Sequence, residues 1–498
     1  MSFLVSPGVH VREIDLTNVV PAVATSIGAI ASAFEKGPVG SIVNITSEEE
    51  LIQIFGKPQN DSNQFENWFT AANFLGYTDA LKVVRCESGI TNATANGAGL
   101  LIRDNDHYDN DFDNGQGSVG EWTARTAGTH GNGIGVDICP GARAFKQPLG
   151  TLNLVNGAGA VGDLSITVDN QDATDATIAV GDIISFQTNN SVTAVANGAI
   201  STASKNLTVD GNSGTIEVGQ RVIGAGISDG DVVVKVATVT SQTALILDKP
   251  IIVANDVPLA FTTDAQVESK GEEYEVTSVS SETLTIKLLD DPVGAGLQTV
   301  IPDNSYITRR WRFSDLFDEA PGTSAYATEN ARGENDEIHV AVYDTVGDIT
   351  GFAVGVNGQR TNAVMELFPN MSSNPNGKTP QGSNNYYSDV IFAQSQFIYW
   401  TDHLSAGSNW GTDFASGTDY TLVSGVDVST LTGGTDDYAL TNGEIALAYD
   451  KFNDTESLDI NLVIGGSSSI TADTAANMDT HVTMITDLVE SRRDCVGF

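Results

Sequence analysis

Acidic side chains are crowded between residues 104 and 115, where Asp and Asn recur along one short stretch. Asp109, Asp111 and Asp113 have the alternate spacing with which calcium loops bring several carboxylate oxygens onto one cation. The glycine that turns such a loop comes one position late, and Glu121 lies one position beyond the bidentate ligand. The three aspartates are therefore calcium candidates, and a solvated acidic loop is the alternative that this spacing favours.

The remaining polar motifs do not have the spacing of a catalytic or cofactor site. Residues 157–162 satisfy GxGxxG, but residues 164–168 after them are predicted to form a strand, whereas a dinucleotide site needs a helix there. The adjacent Asp290 and Asp291 predict a polar turn, since adjacency does not place two carboxylates across a cleft. Neither a GxSxG elbow nor a Walker loop occurs in the sequence. These patterns predict no enzyme activity and no cofactor.

The histidines are also scattered, without an HExxH pair that would bind zinc. They are His10, His107, His130, His339, His403 and His481. We therefore expect surface or packing roles for them and no metal site beyond the calcium candidates.

The overall charge excludes some partners. The chain has 498 residues, with 64 acidic and 24 basic side chains and a formal net charge of −40. Such a field repels phosphate backbones and anionic membrane surfaces, so we expect no nucleic-acid partner and no membrane partner. Copies that assemble must overcome this repulsion through salt screening, strand pairing and apolar burial.

Cysteine usage and the amino terminus indicate a cytoplasmic protein. Cys86, Cys139 and Cys495 are far apart in the sequence, which predicts buried reduced thiols in place of a disulfide framework. Residues 19–34 are apolar but interrupted by polar residues and proline, so they are too short to span a bilayer. The length predicts two to four domains.

The first strand of the chain has no local partner. After the Pro7-Gly8 turn, residues 9–14 alternate apolar and polar side chains with the period of a half-buried strand. No tight-hairpin dipeptide follows to bring in a neighbouring strand. The strand can therefore pair with a distant sheet of its own chain or be donated to a neighbouring subunit.

Residues 19–144 predict a mixed core of strands and helices. The pattern predicts a buried strand over residues 19–34, a short strand at 42–45 and a strand at 80–86. Between them, Ser47 and Glu50 form a capping-box pattern at the start of a helix that ends at residue 56. A second helix is predicted over residues 65–75.

From residue 145 to residue 302 the composition shifts to Gly, Thr, Ser, Val and Asp, which predicts an all-β module. A weak repeat relates residues 166–182 to residues 207–220, and it indicates two similar hairpin-like units in tandem. After Trp311 the mixed composition returns. There we predict strands at 339–343, 397–400 and 458–464, a helix over 472–490, and a further strand from Cys495.

An ordered series of motifs in this sequence resembles contractile-phage tail sheath proteins, closest to those of T4-like phages including cyanophages. The motifs are Pro7-Gly8-Val9 with Glu13, Gly37-Pro38, Ile45-Thr46-Ser47, Phe55-Gly56-Lys57-Pro58, residues 124–136, residues 317–324, residues 335–340, Asn385-Tyr386-Tyr387, residues 431–437 and Arg493-Asp494-Cys495. These motifs are distributed over residues 1–144 and 303–498. The stretch between these limits has no counterpart.

The resemblance implies an α+β fold with four segments. These are an amino-terminal exchange arm (1–18), the first part of a mixed α/β core (19–144), an outward-facing β-rich insertion (145–302) and the second part of the core (303–498). Related sheaths continue with a carboxy-terminal domain that supplies the receiving sheet, and the resemblance implies that this chain stops before it.

The resemblance also implies a function. Members of the family form six-subunit discs that stack helically around a tail tube and contract to drive the tube through the host envelope for DNA delivery. The implied partners are further copies of the chain, the tail tube, and baseplate and tail terminator proteins, in a virion tail assembled in the host cytoplasm. The residues expected in the donated strand are Pro7, Gly8, Val9, His10, Val11, Arg12, Glu13 and Ile14. The absence of a phosphate-binding loop predicts contraction without nucleotide.

Two other functions fit parts of the sequence. The β-rich stretch could be a carbohydrate or host-surface adhesin, but Phe186 and Phe261 are its only Phe, Trp or Tyr residues between positions 147 and 270. A tail-associated glycosidase would need a carboxylate pair across a cleft, which sequence spacing does not indicate.

Overall fold

A computed structural model describes most of the chain. The described residues are 26–149, 152–171, 177–189, 192–225, 227, 234–262, 267–289, 291, 293–351, 363–404, 409–420, 425–468 and 474–498. The predicted exchange arm over residues 1–18 lies outside the described residues, as does Asp290.

Within the described residues the chain forms both helices and strands, and the strands β7 to β18 follow one another without an intervening helix, which confirms the predicted α+β class. The helices are α1 (Glu48–Phe55), α2 (Ser62–Leu75), α3 (Asn105–Asp111), α4 (Ala142–Phe145), α5 (Ala325–Asn330), α6 (Tyr387–Gln394), α7 (Asn442–Asp450) and α8 (Ala475–Arg492). The strands are β1 (Gly28–Ser32), β2 (Ile42–Ile45), β3 (Leu81–Arg85), β4 (Asn92–Thr94), β5 (Trp122–Ala127), β6 (Ile134–Cys139), β7 (Lys146–Pro148), β8 (Ser165–Thr167), β9 (Ile183–Asn189), β10 (Val192–Ala196), β11 (Ile200–Asp210), β12 (Arg221–Ile223), β13 (Val236–Ser241), β14 (Ala244–Val253), β15 (Pro258–Thr262), β16 (Val267–Ser280), β17 (Thr283–Leu288), β18 (Tyr306–Arg310), β19 (Glu337–Asp344), β20 (Val364–Ser372), β21 (Ile398–Trp400), β22 (Asp427–Thr430), β23 (Leu462–Val463) and β24 (Val496–Gly497).

The chain divides into two units. The first comprises residues 1–133, 396–402 and 431–498, and the second comprises residues 134–395 and 403–430. The division into four segments remains a prediction.

The first unit is built on a sheet with strand order β2-β3-β1-β23-β24. Strand β1 is parallel to both of its neighbours, β3 and β23, and all five of its residues are buried. Its alternate side chains reach two different cores: Ile30 packs with α1 and α2, whereas Ala29 and Ala31 pack with α7 and α8. Helices therefore cover both faces, which is the usual surrounding of a parallel sheet.

The amino-terminal helix of this unit begins where the sequence predicts, with one difference in its cap. The Ser47 hydroxyl accepts a hydrogen bond from the Glu50 backbone N–H at 3.2 Å, as a helix N-cap does. The Glu50 carboxylate does not return to Ser47. It accepts from the backbone N–H of Thr46 at 2.7 Å and from its hydroxyl at 2.8 Å. The predicted reciprocal capping box is therefore wrong, because the preceding residue offers Glu50 two donors.

Other predicted elements of the first unit are present with shifted ends. The second helix starts at residue 62, three residues earlier than predicted, because Asp61 caps it through the Asn63 N–H. The strand predicted over 458–464 is limited to Leu462–Val463, and the strand predicted from Cys495 is β24. None of the described helices has the length and apolar character needed to cross a membrane.

The second unit contains three sheets in the residues that the structure describes. One has the order β20-β19-β6-β22, and the other two are β-rich, with the orders β7-β18-β9-β16-β17-β8 and β12-β15-β10-β11-β14-β13. The two β-rich sheets have separate apolar cores. One is centred on Phe186, Tyr274 and Ile286, and the other consists of buried residues between Val192 and Phe261.

The two β-rich sheets repeat one structural motif. In the first, Gly181 has φ +90°, and its N–H donates to the Val276 carbonyl at 2.8 Å. In the second, Gly219 has φ +93°, and its N–H donates to the Val236 carbonyl at the same distance. Positive φ favours glycine at both turns.

A side chain closes each of these turns in the same way. The Asp182 carboxylate accepts from the Ala179 N–H at 2.8 Å, and the Gln220 amide oxygen accepts from the Glu217 N–H at 3.0 Å. The repeat that the sequence indicated is therefore present in the backbone geometry of both motifs.

The two repeats are nested, whereas the sequence predicted a tandem arrangement. The whole second sheet is formed by residues 192–262, which lie between strands β9 and β16 of the first sheet. Asn189 at the end of β9 is the register partner of Val267 at the start of β16. The chain thus leaves and re-enters the first sheet at paired positions, so the inserted module does not interrupt the ladder.

This arrangement predicts that the inserted module can be excised. Replacing residues 190–266 by Asn-Gly should close β9 and β16 into a tight hairpin, because this dipeptide favours the type I′ turn. We expect the shortened protein to keep a cooperative thermal transition with a far-ultraviolet circular dichroism spectrum of a folded α+β protein.

Excision of residues 267–288 is the matched control. That deletion removes Tyr274, Val276, Leu284 and Ile286 from the first core, and losses of this kind cost about 2–5 kcal/mol per large side chain. The control should lose cooperative unfolding of the second unit. Loss of cooperativity in the 190–266 deletion instead would contradict the nested arrangement.

Candidate assembly site

The residues predicted for strand donation, Pro7 to Ile14, lie outside the described residues. Their assignment therefore stays a prediction. Three described parts of the chain bear on assembly. They are the acidic segment at residues 104–115, the contact between two of the sheath-like motifs, and the edge of the first sheet.

The acidic segment is a short helix, α3, and not the loop that the sequence predicted. The Asp104 carboxylate caps the helix by accepting from the His107 N–H at 2.9 Å. Tyr108 anchors it, since its buried hydroxyl donates to the Trp400 carbonyl at 2.6 Å and its ring stacks on Tyr399. The N-cap aspartate and the buried aromatic side chain stabilise this stretch as a helix.

The calcium candidates Asp109, Asp111 and Asp113 are exposed, two on this helix and one just after it. Asp111 lies 3.3 Å from the His107 ring nitrogen. Within the described parts of the chain, no group of three or more His, Cys, Asp or Glu side chains could hold a metal ion. Calcium binding at these residues stays an untested prediction.

Several other predicted roles can be located. Gly157 and Gly162 of the GxGxxG motif have positive φ, and strand β8 follows, which confirms the strand predicted after the motif. Cys86 and Cys139 are buried, whereas Cys495 is half-buried.

Burial lowers the pKa of His339 and of His481, and each ring contacts a backbone carbonyl oxygen, as packing histidines do.

Two of the motifs that carry the family resemblance meet in the first unit. Residues 431–437 run antiparallel to residues 91–94, with bridges from Thr432 to Thr94 and from Thr435 to Thr91. The Asn132 side chain forms two hydrogen bonds of 2.9 Å with the backbone of Gly434. A Cβ on Gly434 would lie 2.4 Å from a backbone oxygen, so this approach requires glycine.

Arg85 is the buried centre of this junction. Its guanidinium donates to the carbonyl oxygens of Gly37 at 3.1 Å, Ala127 at 2.8 Å and Glu35 at 3.1 Å. Burial lowers the pKa of Arg85 to about 10, and the nearby Asp436 carboxylate opposes that change. Two of the carbonyls come from the loop after β1 and the third from the end of β5, so Arg85 holds together segments distant in sequence.

The end of the first sheet has an open edge at β24. The backbone N–H groups of Val496 and Phe498 donate inward, to Asn461 and Val463, both at 2.9 Å. In a parallel strand, the backbone groups of the intervening Gly497 point the other way. No strand in the described residues pairs on that side, and the side chains of Val496 and Phe498 are 57% and 75% exposed. This edge can accept a further strand.

Comparison with known proteins relates the chain to two curated proteins. Over 82 residues it is 43% identical to the tail sheath protein of Vibrio phage KVP40 and 34% identical to the tail sheath protein of Enterobacteria phage T4. The chain is similar to phage tail sheath proteins. Each match covers 16% of this chain, and it spans 12% of the length of the relative. No protein-family model matches the chain.

One solved structure of a sheath tail protein, Lin1278 from Listeria innocua, aligns with 94% of this chain and 45% of its own chain. The TM-score is 0.30 and the sequence identity is 8%, values too low to support any argument about a shared fold. The resemblance to tail sheath proteins therefore rests on the sequence matches.

The second unit contains a buried polar cluster that was not among the predicted sites. Asp137 is fully buried in β6 and accepts hydrogen bonds from Trp311 Nε1 at 3.0 Å and Tyr343 Oη at 2.8 Å. Arg312 Nε lies 3.0 Å from the same carboxylate, which raises the pKa of Arg312 against the effect of burial. An aspartate within an otherwise apolar strand, Ile134–Cys139, was the available signal, because a buried carboxylate requires a partner.

Asp182, in the turn of the first repeat, is a second buried carboxylate in this unit. Burial raises its pKa to about 6, although the Arg309 charge and the Ala179 N–H oppose that rise. A carboxyl group with a raised folded-state pKa binds more protons in the folded than in the unfolded state between about pH 4 and pH 6. Its contribution to stability therefore falls as the pH rises through this window.

The loss of this stability contribution with rising pH can be measured with a variant of Asp182. Asp182→Asn keeps the acceptor for Ala179, as Gln220 does in the second repeat, but it cannot ionise. The free energy of unfolding of the variant minus that of the wild type should increase by about 2 kcal/mol from pH 4 to pH 7. Denaturant unfolding at several pH values measures this difference, and a difference that does not vary with pH would contradict it.

Proposed function

We propose that this chain is a structural subunit of a contractile phage tail sheath and not an enzyme. The observation that carries the proposal is the 82-residue similarity to the sheath proteins of two phages. The junction of residues 85–94, 124–132 and 431–437 adds support, because two of the sheath-like motifs are joined there by hydrogen bonds between the Asn132 side chain and the Gly434 backbone.

In this proposal the subunits form six-membered discs that stack helically around a tail tube within the virion. Their partners are further copies, the tube, the baseplate and the terminator, and assembly takes place in the host cytoplasm. Contraction releases free energy stored in the extended lattice, without nucleotide, and it drives the tube through the host envelope for DNA delivery. The mixed core lies nearer the tube than the β-rich insertion does.

Strand exchange is the proposed link between copies. Residues Pro7–Ile14 of one copy are the donor. The outward backbone groups at Gly497 of another copy offer an acceptor edge, in place of the receiving sheet that the resemblance assigns to a further domain. Main-chain hydrogen bonds of this kind do not depend on charge. They therefore suit a chain whose net charge of −40 drives its copies apart.

The donor assignment predicts the effect of a proline in the strand. Val11→Pro removes a backbone N–H and blocks ladder pairing, so purified protein should stay folded but form no tubes or rings in electron microscopy. Asn18→Pro lies beyond the strand and should assemble as the wild type does. Tubes formed by the Val11→Pro variant would refute the donor assignment.

The acceptor assignment predicts a contrast between two substitutions at Gly497. A Cβ at this position meets the side chains of Ile485 and Val489 at 3.2 Å in either variant. Gly497→Pro also removes the outward N–H, whereas Gly497→Ala keeps it. We expect sedimentation of assembled tubes to be lost with proline and kept with alanine. Equal assembly by the two variants would rule out this edge as the acceptor.

A further inference from the structure

An apolar groove lies between α7 and α8 of the first unit, with a volume of about 840 Å³. We call it the α7–α8 groove, and it is lined by Gly443, Ala446, Leu447, Tyr449, Asp450, Asn453, Thr480, Thr483, Met484, Asp487, Leu488 and Ser491. A large apolar side chain that faces water at such a groove marks a site of association more often than an isolated exposed residue does.

The lining combines an apolar anchor with small residues. Leu447 is 70% exposed although it lies in the middle of a packed helix. Gly443 and Ala446 on α7 face Thr480 and Thr483 on α8 across the groove. Only the Thr441 hydroxyl lies within 4 Å of a Cβ built on Gly443, at 3.9 Å, so the space beside this glycine is open. Small residues leave room for a backbone to approach, as in helix-in-groove recognition.

The charged side chains that line the groove are all acidic. Asp450 and Asp487 contribute carboxylates, whereas no Lys, Arg or His is present among the lining residues. Arg492 at the end of α8 is turned inward, where it donates to the carbonyl oxygens of Phe452, Asp454 and Leu458. An acidic rim around an apolar surface is complementary to apolar side chains flanked by lysine or arginine.

We propose that the α7–α8 groove docks an amphipathic helix of a different protein, with apolar side chains in the groove and basic side chains at Asp450 and Asp487. A second copy of this chain is a poor occupant, because 64 acidic side chains against 24 basic ones make its surface repel an acidic rim. The inference does not rest on the proposed sheath function.

The test uses the full-length protein and two designed peptides. Each 16-residue helical peptide carries leucines at i, i+3, i+4 and i+7, with lysines flanking them in one peptide and glutamates in the other. Fluorescence anisotropy should show binding of the lysine peptide that weakens with added salt, and binding of the glutamate peptide that is weaker by about tenfold or more. Equal affinities, or no binding of either peptide, would overturn the proposal.

Variants locate the binding in the groove. Asp487→Asn together with Asp450→Asn should weaken binding of the lysine peptide by about tenfold. Gly443→Leu should abolish it by filling the groove, and this change also raises helix propensity, so folding is preserved. Asp479→Asn, on the same helix but outside the lining, is the matched control and should bind as the wild type does.

Two further outcomes would overturn the proposal. Unchanged binding in Gly443→Leu would place the peptide elsewhere on the protein. Self-association of the wild type in analytical ultracentrifugation that Gly443→Leu removes would make a second copy the occupant. Because the peptide assay needs no tubes, its failure is distinguishable from failure of the sheath function.

Discussion

The parallel pairing of β1 with β3 and β23 is the interaction on which the first unit depends. It joins the beginning and the end of the described chain, since the Ile27 N–H reaches the Asn461 side chain at 3.0 Å across 434 positions. Because β1 is buried on both faces, each helical layer needs the strand in place before it has a surface to cover. The open edge at β24 and the α7–α8 groove both belong to the layers that this strand organises.

The second unit shows how a large insertion can be accommodated without loss of the host sheet. Asn189 and Val267 are paired neighbours, so the inserted module begins and ends at one point of the ladder. Both repeats use a glycine with positive φ and a side-chain acceptor to close the same turn, although the acceptor is a buried carboxylate in one and a neutral amide in the other. The acceptor in the first repeat can ionise, with a pKa that burial raises, whereas the amide in the second repeat cannot.

In the proposed assembly, copies of this chain have to overcome their own charge. A net charge of −40 opposes contact between copies, so attraction has to come from backbone hydrogen bonds, apolar burial or a partner of opposite charge. In the described residues, the first unit offers the open edge of β24 for backbone hydrogen bonds. It also offers the acidic, apolar α7–α8 groove for a partner of opposite charge. The two surfaces differ in chemistry, and for that reason they suit different partners.

Local features could be predicted from the residues alone: the Ser47 cap, strand β2, the helix that ends at Gly76 and the small buried side chains of β1. These depend on residues a few positions apart, and their hydrogen bonds and periodicity can be read along the chain. Tertiary structure decided the partner of the Glu50 carboxylate, the folding of the acidic segment as α3, the nesting of the repeats and the partners of Asp137. Each of these features depends on which groups the fold brings together from distant positions. Arg312, for example, contacts a carboxylate 175 residues away, and sequence spacing does not determine such a partner.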